Sequence, residues 1–145
     1  MQSRKILFRG QTRRFGEKLK NVGGEPMESN WVYGGIFPNN AGGDFAIIYQ
    51  QEPDIQKFFV YADTVGLSTG ITDDNDIEIF EGDIISFYDC TSTENGYCEL
   101  YCTGVVVWDF DTLSFQVTNR LSAESYEILN KCVVIGNIYD NSDLL

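Results

Sequence analysis

The sequence predicts a mainly β protein made of two small β subdomains, and three observations carry that expectation. Short apolar runs alternate with Gly, Asn, Asp and Pro clusters along nearly the whole chain, the pattern of strands joined by turns. Ten Phe, eight Tyr and two Trp in 145 residues favour pleated structure over helix. The stretch Ile71–Ile85 (ITDDNDIEIFEGDII) places a turn, a short alternating strand, a glycine break and a longer strand in succession, as in the wall of a small barrel. In that stretch Gly82 stands where the backbone has to bend sharply without a Cβ.

In chain order, Lys5 to Arg9 reads as the first strand. Gln11 to Asn30, with Gly23-Gly24 and Pro26, reads as a loop with at most one helical turn near Phe15 to Leu19. Trp31 to Phe37 and Asp44 to Gln50 are strands separated by the turn formers Pro38 to Gly43. Gln56 to Tyr61 is another strand, with Phe58, Phe59 and Tyr61 assigned to the core. The first subdomain thus covers residues 1–62 and the second 63–145.

In the second part, Ile84 to Tyr88 is a strand followed by a polar connector, Asp89 to Gly96, that ends in the turn pair Asn95-Gly96. Tyr97 to Tyr101 and Gly104 to Trp108 are two further strands, the latter apolar on both faces and therefore central. Leu113 to Val117 returns as a hairpin with Leu113, Phe115 and Val117 on one face. Ser122 to Asn130 has helical spacing of Ala123, Tyr126, Ile128 and Leu129, which predicts one short helix. Cys132 to Tyr139 is the last strand, bent at Gly136.

Five segments resemble the YopX family of bacteriophage and prophage proteins. Glu78-Ile79-Phe80-Glu81-Gly82-Asp83-Ile84-Ile85 is similar to the family's central motif, and Lys5-Ile6-Leu7-Phe8-Arg9-Gly10 to its opening strand. Trp31-Val32-Tyr33-Gly34, Asp63 to Gly70 and Val134 to Asn141 resemble further family segments in the same order. Two departures stand out: Asn75-Asp76 replaces the family's tight Asn-Gly turn, and the spacing from Gly10 to Trp31 is longer than usual. The resemblance implies a mainly β phage protein with an SH3-like barrel in its C-terminal part and a tendency to oligomerise. It brings no catalytic residues and no established activity.

The net charge of −12 is unevenly spread. Arg4, Lys5, Arg9, Arg13, Arg14, Lys18 and Lys20 are set against Glu17 alone in the first twenty positions, giving +6. The remaining 125 residues hold three bases and 21 acids, giving −18. A basic segment and an acidic body are able to meet within one chain or between copies. A phosphate-binding arm is the sharper alternative, opposed by the acidic body's repulsion of nucleic acid.

Chemistry is sparse. Without histidine, a Ser or Cys nucleophile lacks its commonest base, so no enzyme activity and no catalytic residue is expected. Cys90, Cys98, Cys102 and Cys132 lack the paired short spacings of a zinc site and read as reduced thiols. The cluster Asp73-Asp74-Asn75-Asp76 fails as a calcium loop, because Ile77 and Glu78 stand where a ligand and a glycine are required. Asp109 and Asp111 read as turn residues, and Gly34-Gly35 and Gly42-Gly43 lack the lysine and helix of a phosphate loop. No metal and no cofactor is expected.

The N-terminal residues carry no sustained apolar run before Arg9, so neither a secretion signal nor a membrane span is expected and a bacterial cytoplasmic location follows. The leading functional expectation is a non-enzymatic accessory protein that forms a homo-oligomer and binds a phage or host protein. Nucleic-acid binding by the basic segment and nucleic-acid mimicry by the acidic body are the two alternatives. A gel shift at low salt separates the first of these from a lysate pull-down of basic DNA-binding proteins, which reports the second.

Overall fold

The computed structural model describes residues 6–13, 30–37, 43–51, 54–93, 96–119 and 131–145. The chain forms two compact units, Met1–Ser68 and Thr69–Leu145. Eight bases against seven acids in the first and two against 15 in the second give charges of +1 and −13.

The first unit is an antiparallel sheet of β1 (Phe8–Arg13), β2 (Asn30–Phe37), β3 (Phe45–Gln50), β4 (Gln56–Tyr61) and the start of β5 (Gly66–Thr72), in the order β4-β3-β2-β1-β5. One face is core, where Val32, Ala46, Ile48 and Val60 are buried and Phe8, Ile36, Phe58 and Val65 pack against them. The strand β1 runs four residues past the expected Arg9, because Gln11 and Arg13 pair with Trp31 and Asn30 across a register shift. A 3-10 turn at Ala62–Thr64 ties the far end down. The Thr64 hydroxyl donates to the Tyr61 carbonyl at 2.6 Å and accepts from the Gln11 amide at 2.9 Å.

The second unit continues β5 from Thr69 and adds β6 (Glu78–Phe80), β7 (Asp83–Thr93), β8 (Gly96–Asp109), β9 (Ser114–Val117) and β10 (Cys132–Asn137). Its four-stranded sheet has the order β10-β7-β8-β9. Ile79, Ile85, Phe87, Val106, Val117 and Cys132 form its core. Among the described residues the sheet ends on β10 and β9 and does not close into a barrel.

Three expectations change here. Asp89 to Thr93 and Gly96 to Tyr101 are paired strand residue by residue, where a connector and a separate strand were expected, so β8 is one strand of 14 residues. Leu113 sits in the turn before β9, 72% exposed at φ +53°, and not on the strand's inner face. Phe59 is 59% exposed on the outer face of β4. Ser122 to Asn130, the expected helix, lies outside the described residues.

The corner at Gly82 is as expected. Its φ is +90°, a region that side-chain-bearing residues avoid, and a Cβ there would lie 3.2 Å from the Tyr139 ring. The bend at Gly136 is also present, as a register shift between Val134 and Gly136 in the pairing of β10 with β7.

Gly82→Val should lower stability by roughly 1–3 kcal/mol through left-handed strain, read as a reduced urea midpoint. Leu113→Gly should raise it by about 0.5–1 kcal/mol, since glycine carries no penalty at positive φ. A lowered midpoint for Leu113→Gly would show that the turn before β9 is relaxed with its leucine.

Candidate interaction surface

Of the basic residues singled out in the sequence, Arg9 and Arg13 lie on β1, while Arg4, Lys5, Arg14, Lys18 and Lys20 lie outside the described residues. Arg9 is only 6% exposed, and its guanidinium carbon sits 4.6 Å from the Trp31 ring centre. That is a cation–π contact of the kind that stabilises a partly dehydrated arginine. Arg13 faces Asn30 at the end of the same pairing, past the register shift after Gln11.

The acidic cluster at residues 73–76 serves the backbone. Asp73 is buried, and its carboxylate accepts from the Asn75 and Ile77 amides at 2.8 and 2.9 Å and from the Val134 amide at 2.9 Å. Burial, the largest single influence, pushes the Asp73 pKa up. The bonds from Val134, Ile77 and Asn75 together outweigh it and leave the pKa below its ordinary value. Asp76 takes the left-handed conformation, φ +62°, that lets the turn close. Asp109 likewise accepts from the Asp111 amide at 2.9 Å, a local turn bond.

Among the described residues no group of three or more His, Cys, Asp or Glu side chains is arranged to hold a metal ion. Cys102 and Cys132 are free thiols on either side of Phe87 in the sheet register, about 10 Å apart across two strand spacings and beyond disulfide reach. Burial first, then the negative charges of Asp73, Asp74 and Asp83, push the Cys132 thiol up to about 11, which keeps it protonated and unreactive.

The surface that the sequence reading missed is the outer face of the first sheet. Register places Gly35 beside Tyr49, Phe37 beside Ile47, Ile47 beside Phe59, Phe45 beside Tyr61 and Tyr49 beside Lys57, all on that face. Phe37 is 54% exposed, and Tyr33, Phe45, Tyr49 and Phe59 are exposed with it. The Phe37 and Tyr49 rings meet edge-on at 6.2 Å, and Phe45 lies 5.0 Å from Tyr61. A Cβ at Gly35 would meet nothing within 4 Å, so the rings frame an open gap. A cleft of about 590 Å³ adjoins it, lined by Ile6, Leu7, Tyr33, Gly34, Tyr49 and Gln50 among others. Of the outward positions on β2, β3 and β4 that these pairings align, Lys57 is the one charged residue. Aromatic enrichment with charge depletion is the composition of a protein interface core.

The comparisons with known proteins fit this fold. The family model described as YopX protein matches residues 30–145. The chain belongs to the YopX family. The strand β1 precedes the matched range, which includes the turn where Asp76 takes its positive φ. The crystal structure of protein EF1440 from Enterococcus faecalis is similar over 99% of each chain, at 20% identity and a TM-score of 0.51. That likeness concerns the fold. No curated protein matches the chain.

Asp73→Ala should cost about 3 kcal/mol, since three backbone donors lose an acceptor at about 1 kcal/mol each. Because the folded pKa is depressed, the carboxylate's stabilisation is complete above the ordinary aspartate pKa and is lost as pH falls below about 4. Urea melts at pH 7 and pH 3 should therefore differ less in Asp73→Asn than in the parent. An equal acid loss in both would assign the acid sensitivity to other carboxylates.

Proposed function

We propose that this chain is a non-enzymatic phage or prophage accessory protein of the bacterial cytoplasm that self-associates and binds a protein partner. The observation that carries the reading is the exposed aromatic face of β2, β3 and β4, with Lys57 as its one charge. Leaving five such rings in water forgoes the burial that each would gain against a protein, roughly 25 cal/mol per Å². A second copy of the chain is the occupant that the charges favour, because the first unit at +1 does not repel an acidic neighbour, whereas two second units at −13 repel one another.

Nucleic acid fits less well. Arg9 is committed to Trp31, and the acidic second unit opposes phosphate. The second unit is taken as an SH3-like module opened between β9 and β10, a reading supported by its antiparallel order β10-β7-β8-β9 and the corner at Gly82. Among the described residues no helix is long and apolar enough to cross a membrane.

At micromolar concentration the parent should sediment well above its monomer mass of 16.4 kDa. Phe37→Ser with Phe59→Ser should weaken that association at least tenfold, or about 1.4 kcal/mol. A parent that stays strictly monomeric would remove the self-association half of the proposal.

A further inference from the structure

The β7–β8 hairpin outruns its sheet. β10 pairs with β7 only from Asp83 to Phe87, and β9 pairs with β8 only from Val106 to Asp109. Beyond them, Tyr88 to Thr93 pairs with Gly96 to Tyr101 over six residue pairs, and among the described residues no strand flanks either side. Six residues of strand make an arm about 20 Å long. A two-stranded ribbon standing alone in water is marginally stable, so an arm of this length is expected to be held by something it lies against.

The arm's base presents an apolar contact. Tyr88 and Tyr101 face each other at 5.1 Å, and they are 46% and 81% exposed. Among the described residues the chain therefore exposes two aromatic surfaces, the Tyr88/Tyr101 pair and the outer face of the first sheet. Their charges sort the possible contacts. From Tyr88 to Tyr101 the sequence contains Asp89, Glu94 and Glu99 and no base, a charge of −3. Laid on another second unit at −13 it would be repelled; laid on a first unit at +1, with Lys57 at the aromatic face, it is not.

We infer that the β7–β8 arm of one copy lies on the aromatic outer face of the first sheet of a second copy. The contact is heterologous, one surface donating and a different one receiving, so repetition builds a ring or a filament and not an isologous pair. This rests on the self-association proposed above, and supplies the surfaces for it.

Two variants at exposed positions test it: Tyr101→Asp spoils the arm, and Phe59→Asp spoils the face. In sedimentation each alone should associate at least tenfold more weakly than the parent. An equimolar mixture should form a heterodimer, because one intact arm still meets one intact face. Thermal melts of both variants report folding, and Tyr88→Ser is a second arm variant with the same expected rescue. If the parent associates and the arm variants associate equally well, or the mixture stays monomeric, the arm-on-face contact is wrong while self-association stands. A monomeric parent overturns both.

Discussion

Gly82 is the constraint on which the second unit depends. Its amide donates to the Val106 carbonyl at 2.8 Å and its carbonyl accepts from the Ile138 amide at 3.0 Å. One left-handed residue thus stitches the turn between β6 and β7 to β8 on one side and to the end of β10 on the other. Asp83 completes the corner, with its carboxylate accepting from the Phe80 amide at 2.7 Å. The buried pair Phe80 and Ile84 flanks this turn, so losing the positive φ would disturb bonds and core together.

The same device explains how a unit with 15 acids and two bases folds at all. Its buried carboxylates take backbone amides as partners. Asp83 closes the corner, and Asp73 joins the turn before β6 to β10, where the Asp74 amide also donates to the Cys132 carbonyl at 3.0 Å. A carboxylate bonded to several amides tolerates burial without a cation, because oriented N–H dipoles replace the water it loses. Cys132, packed beside these charges, is correspondingly held neutral.

The glycine corners at Gly82 and Gly136 were legible because a lone glycine between apolar runs has few other uses. The arm was not. Asp89 to Gly96 is polar, a composition that connectors share with the exposed strands of a two-stranded ribbon. Exposure and loop are different properties, and sequence reports the first. The aromatic face was hidden for the opposite reason. On β2, Val32 and Ile36 alternate with Trp31, Tyr33 and Phe37, and on β3, Ala46 and Ile48 alternate with Phe45, Ile47 and Tyr49. When both faces of a strand are apolar, periodicity does not say which one the core takes. On β2 and β3 the core takes the aliphatic residues, with Phe8 and Phe58 packed against it from the other strands, and Tyr33, Phe37, Phe45 and Tyr49 lie outside.

That sorting has a physical consequence. Val32, Ala46, Ile48 and Val60 make a small core, and a unit of this size gains little stability from so few buried groups. Turning Tyr33, Phe37, Phe45, Tyr49 and Phe59 outward would be a poor arrangement for an isolated monomer, since each ring left in water forgoes burial that the fold needs. The arrangement becomes favourable once another chain covers the face, because the association then supplies the burial that the small core omits. A ribbon that no described strand flanks makes the same demand from the other unit. The self-association proposed above would meet both demands at once, with charges that do not oppose it.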